Sequence, residues 1–362
     1  MKFKNIFLIL ALSLAFTACN NSKDMANDDK KVTSDENATK VNEKEEKSTI
    51  YASFYPIYNL TKQIAGDKFE VKSFTNLKTE SHDWEPSAKD MAEVSKAQLM
   101  FINGAGMEEW EDSLKNSSDI ELVNTSKDID LIKASEEDHH DHDEDHDNED
   151  TDHDHDHEHE DADHDEDQDH DEDHDHEDAN EEHHHHHGEY DPHLWLSPKN
   201  AISQAKVIAE KLSEIDPANK DYYMDNFKKI EEELKALIAE YKEKFDGCEN
   251  KNFLVNHKAF SYLAKDFSLN QIALTSLTST EETDAKTLKD ASLKAKELNI
   301  KTIFYEMGSS DKNAKTLADE IGADTKPLNT LELATDENIK NDTTYQELVR
   351  ENLEAIYQSL VK

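Results

Sequence analysis

The strongest constraint on this chain is one long helical stripe and what flanks it. Between Asn219 and Phe245, apolar residues stand at positions 223, 227, 230, 234, 237, 238, 241 and 245. Their steps are almost all three or four residues, which collects them on one face of a helix. Such a helix would be about 40 Å long, enough to run across two domains and tie them rigidly. Before it, "IYASFYPI" reads as a strand ending at Pro56, "YNLTKQIAG" as a helix stopped by Gly66, and "FEVKSFTNL" as a second strand. "AKDMAEVSKA" reads as a helix, "QLMFING" and "IELVNTS" as strands, and "SPKNAISQAKVIAEKLSEIDP" as a helix with Pro near each end. After the stripe, four strands ("KNFLVNH", "QIALTSL", "KTIFYEM", "TKPLNTL") alternate with four helices, the last being "TTYQELVRENLEAIYQSLV". Strand–helix alternation on both sides predicts an α/β fold of two lobes, each a mainly parallel sheet flanked by helices, joined by one long rigid helix. The expected boundaries are 50–216 for the first lobe, 217–246 for the linking helix and 247–362 for the second lobe, and 362 residues suit two domains.

Residues 136–189 break the pattern. They hold 17 His and 30 Asp/Glu, no Lys or Arg, and only Ala162 and Ala179 as apolar side chains; "HDED" recurs at 142, 164 and 170. That composition cannot bury enough surface to offset the entropy of ordering, so a disordered loop inserted in the first lobe is expected. The tract also explains the net charge of −44, because the rest of the chain carries 54 acidic residues against 40 basic ones. No basic footprint is present, which argues against nucleic acid as a partner. Clustered His and carboxylates point to cations instead.

The N-terminus reads as an export signal over residues 1–18. Lys2 and Lys4 precede the apolar run "IFLILALSLAF", which is short for a membrane-spanning helix. It ends in "FTAC", similar to a bacterial lipoprotein cleavage site with Cys19 as the lipidated first residue, although Phe16 stands where Leu is usual. Residues 19–49 are polar and read as a disordered tether. Cys248 then has no cysteine to pair with, so no disulfide framework is expected.

Only three histidines lie outside the tract: His82, His193 and His257. His82 follows the second strand, His193 sits in "DPHLWLSP" ahead of a helix, and His257 ends the strand "NFLVNH". In open α/β sheets, ligands bind beyond the carboxyl ends of strands, so three isolated histidines at such places can converge in a crevice. Neutral imidazole suits Zn2+, and three His with one carboxylate or water make a tetrahedral site. Two carboxylates are candidates for the fourth position, Glu306 at the end of "TIFYE" and Glu332 in "LNTLELATDE". Asp83, Asp191 and Asn256 are candidates to orient the imidazoles, and Trp84, Trp195 and Phe260 to wall the pocket.

The segments "HDWEPSAKDM", "FINGAGMEEW", "DPHLWLSP", "NHKAFSYLAKDF", "TIFYE" and "YQELVRENLEAI", taken in order, resemble the zinc-binding solute-binding lipoproteins of bacterial ABC metal-uptake systems. The resemblance spans residues 50–362. It implies two lobes with the metal in the cleft between them, and no catalysis. It places His82, His193 and His257 at the family's three His positions and favours Glu332 as the fourth ligand. Manganese-binding relatives usually carry Glu at the position of His257, so the resemblance favours zinc. Two departures are visible: "ESH" (Glu80 to His82) where "EPH" is common, and "ETD" (Glu282 to Asp284) where "EPS" is usual. The implied protein is a monomeric, lipid-anchored extracytoplasmic receptor that binds one Zn2+ tightly and passes it to an ABC permease driven by a separate ATPase. The rigid helix implies only a small movement on metal binding.

The tract, with His183, His184, His185, His186 and His187 at its end, reads as an accessory device. It would hold additional weak zinc ions for capture, delivery or sensing, and lose them as its imidazoles protonate below about pH 6. Two rival readings remain: a surface zinc store or adhesin, which keeps the metal but changes the role, and a manganese or iron transport receptor, which keeps the role but changes the metal. A zinc hydrolase is the enzymatic rival, but no H-E-x-x-H occurs; "HEHED" at 157 and "HEDAN" at 176 fail at the fifth residue.

Overall fold

The computed structural model describes residues 47–78, 81–82, 84–134, 189–275 and 285–361. The expectations placed on Cys19, on the signal and nearly all of the tether, on the acidic tract with His183–His187, and on Glu80, Asp83 and Glu282–Asp284 lie outside these residues.

Two four-stranded parallel sheets organise the chain. The first contains β1 (Thr49–Ala52), β2 (Glu70–Ser73), β3 (Leu99–Ile102) and β4 (Glu121–Asn124), in the order β2-β1-β3-β4. Helices α1 (Tyr55–Ala65), α2 (Ala88–Val94) and α3 (Glu111–Ser117) connect its strands. The second contains β5 (Asn252–His257), β6 (Asn270–Thr275), β7 (Thr302–Glu306) and β8 (Asp324–Leu328), in the order β6-β5-β7-β8. Its helices are α6 (Ser261–Phe267), α7 (Ala285–Glu297), α8 (Lys312–Ile321), α9 (Asp336–Asn341) and α10 (Tyr345–Leu360). Between the sheets run α4 (Pro198–Ile215) and α5 (Lys220–Asp246). Both sheets therefore share one order, and in each the order reverses between the first and third strands. All registered pairs are parallel, as hydrophobic strands such as Leu99–Ile102, fully buried on both faces, require.

The stripe read from the sequence is the buried face of α5: Tyr223, Phe227, Ile230, Leu234, Leu237, Tyr241 and Phe245. Each contributes about 2 kcal/mol on leaving water. This face belongs to one continuous apolar cluster that includes Ile50 and Phe101 of the first sheet and Phe253 and Phe304 of the second. The described residues accordingly belong to one compact unit. A second brace accompanies α5. Helix α10 pairs with it through Arg350–Glu240 at 2.7 Å and Lys244–Glu354 at 3.2 Å. Its first residues reach α1, where Asn59 accepts from the Tyr345 N–H at 2.9 Å and donates to the Thr343 carbonyl at 2.9 Å.

Three local expectations change. The first strand does not reach Pro56: it ends at Ala52, and Pro56 stands in the first turn of α1, where a missing N–H costs no helical bond. Helices α3 and α9, of seven and six residues, were not anticipated. For α9 a local signal existed, since Thr335 and Asn338 form a reciprocal cap.

Candidate metal centre

His257 is the last residue of β5, and Glu306 is the last residue of β7, its neighbour across the reversal in strand order. This is where an open α/β sheet forms a crevice. Glu306 Oε2 lies 3.5 Å from His257 Nδ1, and its Oε1 accepts from the Thr330 hydroxyl at 2.7 Å. Burial alone would raise the Glu306 carboxyl, but His257, Thr330 and His193 together hold it below the ordinary range. Glu306 thus stands on the Nδ1 side of the imidazole.

His193 sits at the entry to a single 3-10 turn, Leu194–Leu196, followed by Ser197, the cap of α4, and Pro198 in its first turn. The segment is fixed from both sides. Asp191 Oδ1 accepts from the His193 backbone N–H at 2.9 Å and lies 2.9 Å from its Nδ1. The Asn103 side chain, just past β3, donates to the Pro192 carbonyl at 3.0 Å. Two bonds join this segment to the second lobe: the Tyr262 hydroxyl donates to the Asp191 carbonyl at 2.8 Å, and the Trp195 indole donates to the Thr330 carbonyl at 2.7 Å. Asp266 accepts from the Ser197 hydroxyl at 2.6 Å. His193 is fully buried, with the Trp195 ring centroid 5.2 Å from its own.

His82 comes from the loop after β2. Its Nε2 lies 3.0 Å from His193 Nε2 and 3.6 Å from Glu332 Oε1. The rings of His82 and His257 are 5.8 Å apart and those of His193 and His257 4.8 Å apart. One ring nitrogen from each histidine falls within 4.8 Å of the others. Two Zn–N bonds at the tetrahedral angle place ligand nitrogens about 3.3 Å apart, so small side-chain shifts close this trio on an ion. Burial, with His193 and His257 nearby, holds His82 well below the usual imidazole range, and burial lowers His193 against the pull of Asp191. Near neutral pH both are uncharged, with a nitrogen lone pair to offer. Three carboxylates surround the rings: Asp191 and Glu332, which are buried, and Glu306, which is largely covered. That is an environment short of positive charge, which a divalent cation supplies.

Of the other expected residues, Trp195 and Phe260 are buried beside the trio, Phe260 lining a small space with His257 and Glu306. Trp84 instead packs on Phe74 and Trp110 in a separate cluster of the first lobe. The Asn256 carbonyl accepts from Thr275, and its side-chain oxygen is buried without a partner. Four supporting residues had no role in the sequence reading: Ser81, Asn103, Glu108 and Tyr262. Glu108 is buried and accepts from the backbone N–H groups of Asn103 at 2.7 Å and Gly104 at 2.9 Å. Its signal was the charge inside "FINGAGMEEW", a polar residue where a strand has just ended. Gly104, with φ +83°, lets the chain turn there; a Cβ would come within 2.3 Å of Asn124 Oδ1.

Comparison with known proteins agrees with this architecture. Residues 50–359 match the family model described as zinc-uptake complex component A, periplasmic. The high-affinity zinc uptake system protein ZnuA of Bacillus subtilis is 35% identical over 99% of this chain and 98% of its own length. The laminin-binding protein Lmb of Streptococcus agalactiae, described as an adhesin with metal-transporting activity, superposes with a TM-score of 0.68 at 30% identity, covering 86% of this chain and 99% of that one. The Zn(II)-bound ZnuA-like domain of Streptococcus pneumoniae AdcA superposes with a TM-score of 0.66 at 28% identity, covering 87% of this chain and all of that domain. Against full-length AdcA the chain spans 61% of the relative. These are transport proteins, not enzymes, and the chain belongs to the zinc-uptake complex component A family.

Proposed function

We propose that this chain is an extracytoplasmic zinc receptor of an ABC uptake system. It binds one Zn2+ through His82, His193, His257 and Glu332 and delivers it to a membrane permease driven by a separate ATPase. The observation that carries this reading is the convergence of the three isolated histidines, two of which have a carboxylate at Nδ1. A set of three imidazoles and one carboxylate favours zinc over manganese or iron, which take more oxygen ligands or an open position. Cys19 would carry the lipid anchor after removal of residues 1–18, with 19–49 as tether. The lobes would divide at 216 and 247, around the linking helix, and the receptor would act as a monomer. The 136–189 tract, including His183–His187, would capture additional weak ions and raise zinc concentration near the site.

Zinc titration against a competing chelator tests this on the full chain and on a variant lacking 136–189. The expected result is one tight ion in both and loss of only weak ions with the tract. Loss of the tight ion with the tract, in a protein that still folds, would sink the assignment and favour storage by the tract. The likeness to Lmb supports a second, additional role in adhesion. Binding to immobilised laminin checks it, and no binding at micromolar protein would end that reading.

A further inference from the structure

The loop carrying His82 is tied to the opposite lobe at three points. The Ala334 N–H donates to the Leu77 carbonyl at 2.7 Å, Lys78 pairs with Asp336, and the Ser81 N–H donates to Glu332 Oε2 at 3.1 Å. The third tie differs from the others. Its acceptor is a carboxylate that is 1% exposed, and Ser81 itself is 6% exposed. The donor exists only because residue 81 is not proline: a proline has no N–H. Where the resembled family commonly has Pro before the first histidine, this chain has Ser.

We propose that the Ser81 backbone N–H is a positioning donor that divides the two oxygens of Glu332 between the His82 loop and the metal. The N–H engages Oε2, and Oε1 lies 3.6 Å from His82 Nε2. Glu332 then binds zinc through one oxygen, which a tetrahedral site with three imidazole ligands requires. A hydrogen bond to a charged acceptor is stronger than a neutral one. The same bond holds His82 and Glu332, from different lobes, in mutual register before the ion arrives, so less ordering remains to be done on binding. The Ser81 hydroxyl takes no part, being buried without a hydrogen-bond partner.

This inference rests on the proposed metal centre, and the test separates the two. Zinc affinity is measured by chelator competition on the full chain with Ser81→Ala, Ser81→Pro, Glu332→Met and the Ser81→Pro/Glu332→Met pair. Ser81→Ala keeps the N–H and should bind zinc as the parent does. Ser81→Pro should weaken the tight site roughly tenfold, in the range of lost partners to metal ligands. In the Glu332→Met background, which has no acceptor, the proline should add nothing. Equal affinities for Ser81→Ala and Ser81→Pro overturn the proposal. So does a proline effect that persists undiminished with Glu332→Met, because it would then act through loop shape. The apo melting temperature of each variant reports folding separately. If Glu332→Met leaves the tight site unchanged, the assignment of Glu332 to the metal centre fails, and this inference fails with it. If Glu332→Met weakens binding while the two Ser81 variants match, only the inference fails.

Discussion

The two lobes have sheets of the same order, yet they bury opposite kinds of acid beyond corresponding strands. After β3 of the first lobe comes Glu108, whose partners are backbone N–H groups; burial, which outweighs those hydrogen bonds, pushes it up to about 7. At the end of β7 in the second lobe stands Glu306, drawn below its ordinary range by His257 and its neighbours despite burial. The first acid braces a turn. The second faces a metal-type ligand. The second lobe therefore presents His257 directly from its sheet, while the first uses its strand ends as scaffolding and presents His82 and His193 from loops. What those loops lack in sheet support they gain from cross-lobe bonds through Tyr262, Trp195, Asp266 and Glu332.

Removing a ligand should have the largest effect and should not distinguish the lobes. His257→Ala and His193→Ala are each expected to weaken the tight zinc by more than about 100-fold, beyond the loss of an outer partner. Chelator competition measures both. If only one mattered, the convergent trio would not be the site.

The second prediction separates the two acids by pH. Glu108 binds a proton more tightly in the folded state than in the unfolded one, so its contribution to stability falls as pH rises from about 4.5 to 7. A shift of this size corresponds to roughly 3 kcal/mol. Glu306 has the opposite sign: its contribution is present above the unfolded carboxyl range and is lost as pH falls through its lowered folded value. Two of the histidines also act oppositely to Glu108, because His82 and His193 resist protonation that the unfolded chain accepts below about pH 6.5. Urea midpoints of the metal-free protein from pH 4.5 to 7.5 isolate each term by difference. Glu108→Gln should remove its slope and add a constant loss from one mismatched backbone donor. An unchanged slope would mean that Glu108 is ionised throughout.

The outer carboxylates sharpen the comparison further. Asp191 is 2.9 Å from His193 Nδ1 and is fixed by its own backbone, so Asp191→Asn should weaken zinc toward the upper part of a 10–100-fold range. Glu306 is 3.5 Å from His257 and shares its charge with Thr330, so Glu306→Gln should cost closer to about 10-fold. The reverse ranking would show that the strand-borne histidine depends more on its partner than the loop-borne one.

Much of this was legible in the sequence, for identifiable reasons. The α5 stripe and the βα alternation carry strong periods, so the two-sheet plan could be read from them, though not every element's bounds. His82, His193 and His257 stood out because every other histidine falls in one tract. The supports were not legible. Glu108 closes a local turn onto Asn103 and Gly104 that no periodic pattern marks, Tyr262 acts through backbone groups distant in sequence, and no local pattern reports a bond between Ser81 and Glu332, 251 positions apart. The two roles open to Glu306, fourth ligand or partner behind His257, differ only by which imidazole nitrogen it faces. Spacing carries no information on that.

The smallest expected effect comes from the bond that ties the base of the tract to the centre. Tyr262, on α6, accepts from the Ile132 N–H at 3.0 Å and donates to the Asp191 carbonyl at 2.8 Å. Burial pushes its hydroxyl up to about 12, so it stays a donor at any working pH. Ile132 and Asp191 also pair directly, through the Asp191 N–H and the Ile132 carbonyl at 2.8 Å, beside the bridge between Lys133 and Tyr190. Tyr262→Phe removes two neutral hydrogen bonds and leaves the ring in place, a loss of about 1–2 kcal/mol in stability. Asp191 keeps its grip on His193 through its own backbone geometry, so zinc affinity should change by less than about threefold. Thermal melts and chelator competition on the same sample read both quantities. A zinc effect larger than that of Glu306→Gln would reverse the lesson of the two lobes. His193 would then owe its position to the opposite lobe more than to Asp191, and the first lobe would be the guest at a site built by the second.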